Sequence, residues 1–267
     1  MKKQSVTNIR IFFEGAILSY RALFRWLRPA TYIASKILAP LTMMIFFVFI
    51  GTYASGSNDA SFYVIGNALI FAASSGIFGV TMSIGGERWS GTLPYLFGSP
   101  ANRLAIFTGR ASMHILDGML GVFIGLGWGV LLFGLDLSQT HLIPLLLTIL
   151  VTTYSTSGLG LLMGCVGLIT RNVMLVNNTV YFLMLLFSGA NIRLESLPKW
   201  MQVVSKYIPL TRGIASTRLI IAGAGINEIF PLLMEEFLIG FVFTLLGFFL
   251  FSTFEKRAKK LGTLEIF

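Results

Sequence analysis

Charge is what this sequence has least of. Only 12% of its 267 residues are Asp, Glu, Lys or Arg, against about 25% in an average soluble domain. Such a chain lacks the polar surface to cover a water-soluble globule. Its 55% hydrophobic content and mean hydropathy of +0.81 also exclude disorder, which needs low hydrophobicity. A single cysteine, Cys165, excludes an intrachain disulfide and leaves the redox compartment undefined. Acids are scarcer than bases, 11 against 20, for a net charge of +9. That excess calls for no nucleic acid, because in a membrane protein it gathers on cytoplasmic loops facing anionic lipid. No GxxxxGK[ST] run exists to cradle nucleotide phosphates, and no HExxH, CxxC or Gly-x-Ser-x-Gly is present. His114 and His141 stand far apart, and the acids are too scattered to hold a metal. The chain therefore has little support as a membrane-embedded enzyme, and its energy source belongs on another chain.

What is abundant is long apolar runs. A helix crosses the roughly 30 Å hydrocarbon core with about 20 apolar residues. Six stretches qualify as expected spans: 30–52, 60–84, 105–134, 142–169, 173–190 and 231–253. The first follows Pro29, which suits a first helical turn. No cleavable signal is expected ahead of it, since the first apolar stretch is too long and no small-residue cleavage site follows it. Orientation follows Lys and Arg placement. Residues 1–29, the 85–110 connection, the turn at Arg171 and the tail after 253 are basic, whereas 53–59 and 135–141 carry no Lys or Arg. Both termini are expected in the cytoplasm. The 191–230 connection then lies outside despite Arg193, Lys199, Lys206, Arg212 and Arg218, which work against the rule. The reading preferred for 191–226 is an outer-face segment that dips partly into the membrane. The whole of 1–267 reads as one domain, without internal repeats.

Two segments outside the spans are amphipathic. In 8–28, Ile9, Phe12, Phe13, Ala16, Ile17, Tyr20, Leu23, Phe24 and Leu27 recur at helical spacing, with Arg10, Glu14, Arg21 and Arg25 off that stripe. This predicts a helix lying in the interface. In 197–208, Leu197, Trp200, Met201, Val204, Tyr207 and Ile208 repeat the pattern. The connection between the second and third spans is stranger. The stretch 86–100 is too polar to span and too apolar, with Leu93, Tyr95, Leu96 and Phe97, for a plain solvated loop. It reads either as an interfacial loop with aromatic anchors or as a docking element for another protein.

These residues carry a resemblance. Glu87-Arg88-x-x-Gly91-Thr92-Leu93 followed by Ser99-Pro100 is similar to the coupling-helix motif of type-2 ABC exporter permeases. Leu197-Pro198-x-Trp200, then Pro209-x-Thr211, Arg218 and Gly223, resembles the outer-face re-entrant segment of drug-exporting members. The resemblance covers essentially the whole chain. It implies a type V exporter fold, a dimer with a second permease (the same or a homologous chain), and separate ATP-binding subunits that hold the ATP and Mg. It also implies a prokaryotic inner membrane. Carried over by position, Glu87, Arg88, Gly91, Thr92, Leu93, Leu96, Phe97, Ser99 and Pro100 form the coupling element. Pro94 departs from the family pattern: the helix starts there or is kinked there.

Within the expected spans, Asp117 is the one deep acid, and Arg110, His114 and Asp117 share a helix face at i, i+4, i+7. Charge at a span centre is costly, so that face meets protein or a pathway. Gly121, Gly125 and Gly129, and the pair Gly160 and Gly164, permit close helix approach, within the chain or across a dimer. The run 152–157 is rich in hydroxyls, with Thr153 and Thr156 as pathway candidates, although hydroxyls also bond back to their own helix. Asn177 and Asn178 need protein or a cavity beside them. Glu235 and Glu236 pair with Arg212 or Arg218, or are simply exposed. The expected protein is an all-α polytopic permease with no cofactor of its own, exporting an amphiphile such as a drug, antibiotic or lipid-like molecule. Its rivals are export of a glycolipid, polysaccharide or small cation by the same fold, and an ATP-independent membrane enzyme or scaffold.

Overall fold

The computed structural model describes residues 10–17, 30, 33–56, 59–89, 91–99, 102–167 and 172–261. All regular structure among these residues is helical. Residues 10–17 form α1. A π-helical turn, Ala34–Leu38, leads into α2 (Ala39–Ser55). A second π turn, Ser75–Gly79, joins α3 (Ser61–Ser74) to α4 (Val80–Trp89). Then follow the short α5 (Leu93–Gly98), α6 (Arg103–Phe133), α7 (Leu142–Gly167) and α8 (Val173–Phe187). After a 3-10 turn at Leu194–Ser196 come α9 (Lys199–Ser205), α10 (Thr211–Ile221) and α11 (Ile226–Leu261).

Among the described residues, five helices are long and apolar enough to cross a membrane: Ala34–Ser55, Ser61–Gly86, Ala105–Phe133, Leu142–Gly167 and Ile226–Arg257. Their apolar runs explain why they form, and local chemistry explains where they stop. The α2 helix ends on Gly56 and α6 ends at Gly134, both in the left-handed region at φ 62° and 65°, where only glycine is unstrained. Asn102 accepts the Ala105 N–H at 3.4 Å and caps α6. Asn172 does the same for α8, accepting from Leu175 N at 3.1 Å.

The boundaries differ from the sequence expectation in two places. The stretch expected as the fifth span, 173–190, forms the 15-residue α8, about 22 Å long at 1.5 Å per residue, short of the hydrocarbon thickness. The last helix starts at Ile226, five residues before the expected start, because Asn227 and Glu228 make a polar first turn and Pro231 is accommodated inside.

The bundle is organised around α3–α4 and α7, whose faces are mostly buried. Close approach comes from small residues. A Cβ on Gly160 would lie 1.9 Å from the Gly76 carbonyl oxygen, and one on Gly164 would lie 2.9 Å from the Ile84 side chain. On the other side of α7, Gly158 faces the Gly240 backbone of α11 and Gly240 faces Ser155. Helices α6 and α3–α4 run antiparallel in register: Gly121 meets Phe71, Gly125 meets Ala68 and Gly129 meets Val64. Both glycine motifs thus serve packing within the chain. The outer helices α2 and α11 leave wide apolar faces exposed, including Phe46, Phe49, Leu245 and Phe249, as expected for lipid contact.

The N-terminal helix is only partly described; residues 8–9 and 18–28 lie outside the described residues. Its described turns carry an Arg10–Glu14 ion pair at 2.7 Å and pack on the start of α6, where a Cβ on Gly109 would lie 2.3 Å from the Phe12 carbonyl oxygen.

Candidate functional site

The two ends of the bundle differ. At one end α3–α4 connects to α6 through α5, and the chain's first described helix packs nearby. Here Gly91 and Thr92 are exposed, and Gly91 has φ 65°. The α5 helix begins at Leu93 with Pro94 in its first turn, where a missing N–H costs nothing. Proline therefore starts the helix and does not kink it. Ser99 ends it in extended backbone, its N–H donating to Tyr95 O at 3.1 Å. Tyr95 is 79% exposed. The backbones of Glu87, Arg88, Leu93, Leu96 and Phe97 are helical, but their side chains lie outside the described set, as do Ser90, Pro100 and Arg171 altogether.

At the opposite end, α9, α10 and the turns around them form a cap. Trp200 is exposed on one side and packs edge-to-face on Phe187, ring centroids 6.4 Å apart. Pro198 heads α9, and Leu197 is buried beneath it. Gly213 of α10 sits against the side chain of Thr152, ten residues and so about 15 Å into α7. Arg218 fastens this cap. Its Nη2 donates to the carbonyls of Phe62 and Gly189, each at 2.9 Å, and of Ala190 at 3.3 Å. Its guanidinium stacks 3.6 Å from the centre of the Phe62 ring.

The α10 helix begins unusually. Leu210 is buried with φ 85°, the one non-glycine residue at positive φ among those described, a conformation that needs compensation. The compensation comes from Glu236 of α11, whose carboxylate accepts Leu210 N–H at 2.6 Å and Arg212 N–H at 3.3 Å. Arg212 forms an ion pair with Glu235. The sequence left pairing and exposure open for these two acids; the earlier start of α11 carries Glu236 into the bundle, where it is fully buried. Thr211 is buried beside them, and Pro209 lies in the turn.

Between the ends lies a polar face. Arg110 Nη1 donates to Ser83 O at 2.7 Å. His114 is 4% exposed and packs on Gly79, where a Cβ would lie 2.3 Å from Nδ1. Ser75 Oγ donates to Asp117 Oδ2 at 2.7 Å. These three α6 residues thus share one face towards α4 and the π turn. Lys36, from the other π turn, forms an ion pair with Asp117 and donates to Ser75 Oγ at 2.9 Å. Sequence reasoning missed Lys36 and Ser75. The available signal was a lone Lys inside an apolar span, which is as costly as the Asp it neutralises. The hydroxyl run of α7 is buried except for the half-buried Tyr154, and its threonines bond back: Thr152 to Thr148 O, Thr153 to Ile149 O, Thr156 to Thr152 O. Thr156 also reaches Ala72 O at 3.2 Å on α3. Asn177 is buried, whereas Asn178 is exposed on α8. Cys165 is buried and donates to Gly247 O at 3.2 Å. No group of three His, Cys, Asp or Glu suited to a metal exists among the described residues.

This architecture has known counterparts. Residues 15–222 match the model of the ABC-2 type transporter family. In two strains of Mycobacterium tuberculosis, a relative described as "Probable doxorubicin resistance ABC transporter permease protein DrrC" is 27% identical over 215 residues, covering 78% of this chain and 77% of the relative. A match over well over half its length, to a bundle of apolar helices with no phosphate-cradling loop of its own, makes the chain a member of the ABC-2 type transporter family: a permease subunit that moves a substrate across the membrane.

Proposed function

We propose that the chain exports an amphiphilic molecule, driven by separate ATP-binding subunits that dock on 86–100. The observation that carries this reading is α5: a short helix begun at Leu93-Pro94 in the connection between α3–α4 and α6, with Tyr95 bare. A short helix at that place with an exposed aromatic side chain fits a socket on a partner. The family relationship supports an ATP-binding subunit as that partner. The doxorubicin-resistance description of the relatives favours a drug-like substrate.

In this reading α8 and the cap together make the sixth crossing, with α9 and α10 as the outer re-entrant segment; the depth of Gly213 beside Thr152 supports it. Both termini lie in the cytoplasm. A second permease covers α8, because an exposed Asn178 amide is costly against lipid and its neighbours Met174, Leu175 and Phe182 are also exposed. ATP-driven closure of the docked subunits presses on α5 and the N-terminal helix, and shifts the dimer between two states that differ in affinity for substrate. The test is Leu96→Asp and Arg88→Glu in the reconstituted complex. Transport should fall by about tenfold or more, the loss of one central docking contact, while ATP hydrolysis continues. Unchanged transport in both variants would remove 86–100 from the mechanism.

A further inference from the structure

We propose that Asp117 and Ser75 form an ammonium-binding site, filled in this conformation by the chain's own Lys36, that receives the ammonium head of a cationic amphiphile when Lys36 withdraws. The proposal rests on the exporter reading for its source of ligand. Its chemistry comes from the cluster itself.

Asp117, Ser75 and Lys36 close a three-membered ring of hydrogen bonds: Ser75 donates to Asp117, and the Lys36 ammonium donates to both. Lysine is an alkyl ammonium on a four-carbon stem, so the ring already shows how this pair of oxygens holds that head group. Exchange of one ammonium for another leaves no unpaired carboxylate at membrane depth, which would otherwise be the prohibitive step. Lys36 has somewhere to go. It sits near the end of its span and can snorkel to the headgroup region, whereas Asp117, mid-way along α6, cannot. Access is graded in the same sense: 26% of the Lys36 side chain is exposed against 9% for Asp117. Lys36 thus stands between the bilayer and the carboxylate, on the lipid-facing first span.

Two further observations point the same way. Lys36 and Ser75, which meet at Asp117, both lie in π-helical turns, Ala34–Leu38 and Ser75–Gly79. Such turns are rare, recur at functional sites, and allow a local shift without breaking the helix. His114, one turn before Asp117, is buried with neither ring nitrogen hydrogen-bonded, and lies within electrostatic reach of both Asp117 and Lys36. A buried imidazole without partners is an unsatisfied polar group on the same helix face as the carboxylate.

The test compares dodecylamine, cationic at neutral pH, with dodecanol, its neutral counterpart. Binding is measured to the full-length permease in phosphatidylcholine nanodiscs, against empty discs. Wild type should prefer the amine. Lys36→Met should raise that preference by about tenfold, the scale of one charge-assisted hydrogen bond net of desolvation. Asp117→Asn, and the charge-neutral double variant Lys36→Met/Asp117→Asn, should abolish it. A preference that is the same in wild type and Lys36→Met overturns the proposal. If Lys36→Met does not fold, the double variant decides: a preference equal to wild type overturns the site, and its loss supports it. Repeating the titration in phosphatidylethanolamine discs identifies the source of the head group. Weaker amine binding there assigns the site to a lipid ammonium, and unchanged binding assigns it to a free amphiphile. No ATP or ATP-binding subunit is needed, so a missing partner sinks the exporter reading and spares the site, while equal affinities for the two probes do the reverse.

Discussion

Arg218 shows how one side chain can hold together parts of the chain far apart in sequence. Three carbonyls and an aromatic face converge on it from α3 and from the turn after α8. Arg218→Met should cost about 2–3 kcal/mol, because buried acceptors lose a charged donor. Arg218→Lys should recover only part of that loss, since an ammonium cannot stack and fork together. Thermal unfolding in mild detergent checks both. Glu236 works on the same principle from the acceptor side. Glu236→Leu orphans the amides of Leu210 and Arg212, so hydrogen exchange at those two amides should speed up. Glu236→Gln retains one acceptor oxygen and should change them less. Individual residues were unevenly legible in the sequence. Arg218 stood out through its motif, and Asp117 through its isolation in an apolar run. Lys36 was hidden inside a stretch read as one continuous span, and Ser75 looked like any small membrane residue. Their partnership depends on two helices 39 residues apart meeting at one carboxylate, which no local pattern records.

At the level of elements, glycine spacing carries the most information. Gly160 lies where a Cβ would collide with the Gly76 backbone, while Gly127 has nothing within 4 Å. Gly160→Ala should therefore destabilise by about 1–3 kcal/mol through forced separation of α7 from the π turn. Gly127→Ala should be neutral or stabilising by about 0.5–1 kcal/mol, through helix propensity alone. Paired melting curves of the two variants distinguish a packing role from a general preference for alanine. The long spans were readable because hydropathy acts locally, whereas the short helix after 86–92 was expected from the family resemblance, with Pro94 left open as its start or a kink. The two π turns were not, because they arise from packing between helices and leave no periodicity. The true start of α11 was missed for a related reason: Asn227, Glu228 and Pro231 looked like loop chemistry, but a polar first turn at a membrane surface accommodates all three.

For the whole molecule, the distribution of exposed apolar surface matters most. Apolar faces of α2 and α11 fit lipid, but the exposed face of α8 carries an amide at Asn178 among Met174, Leu175 and Phe182. Asn178→Leu should leave the thermal stability of the single chain unchanged and weaken retention of a second permease, measured by mass photometry of the detergent-solubilised complex. The most direct test of the account is to isolate this chain from its native membrane in mild detergent, identify every stoichiometric partner, and assay ATP hydrolysis. The account predicts an ATP-binding subunit and a second permease in the complex, with hydrolysis that drives transport once reconstituted. A chain that comes out alone, under conditions that preserve other membrane complexes, would contradict it.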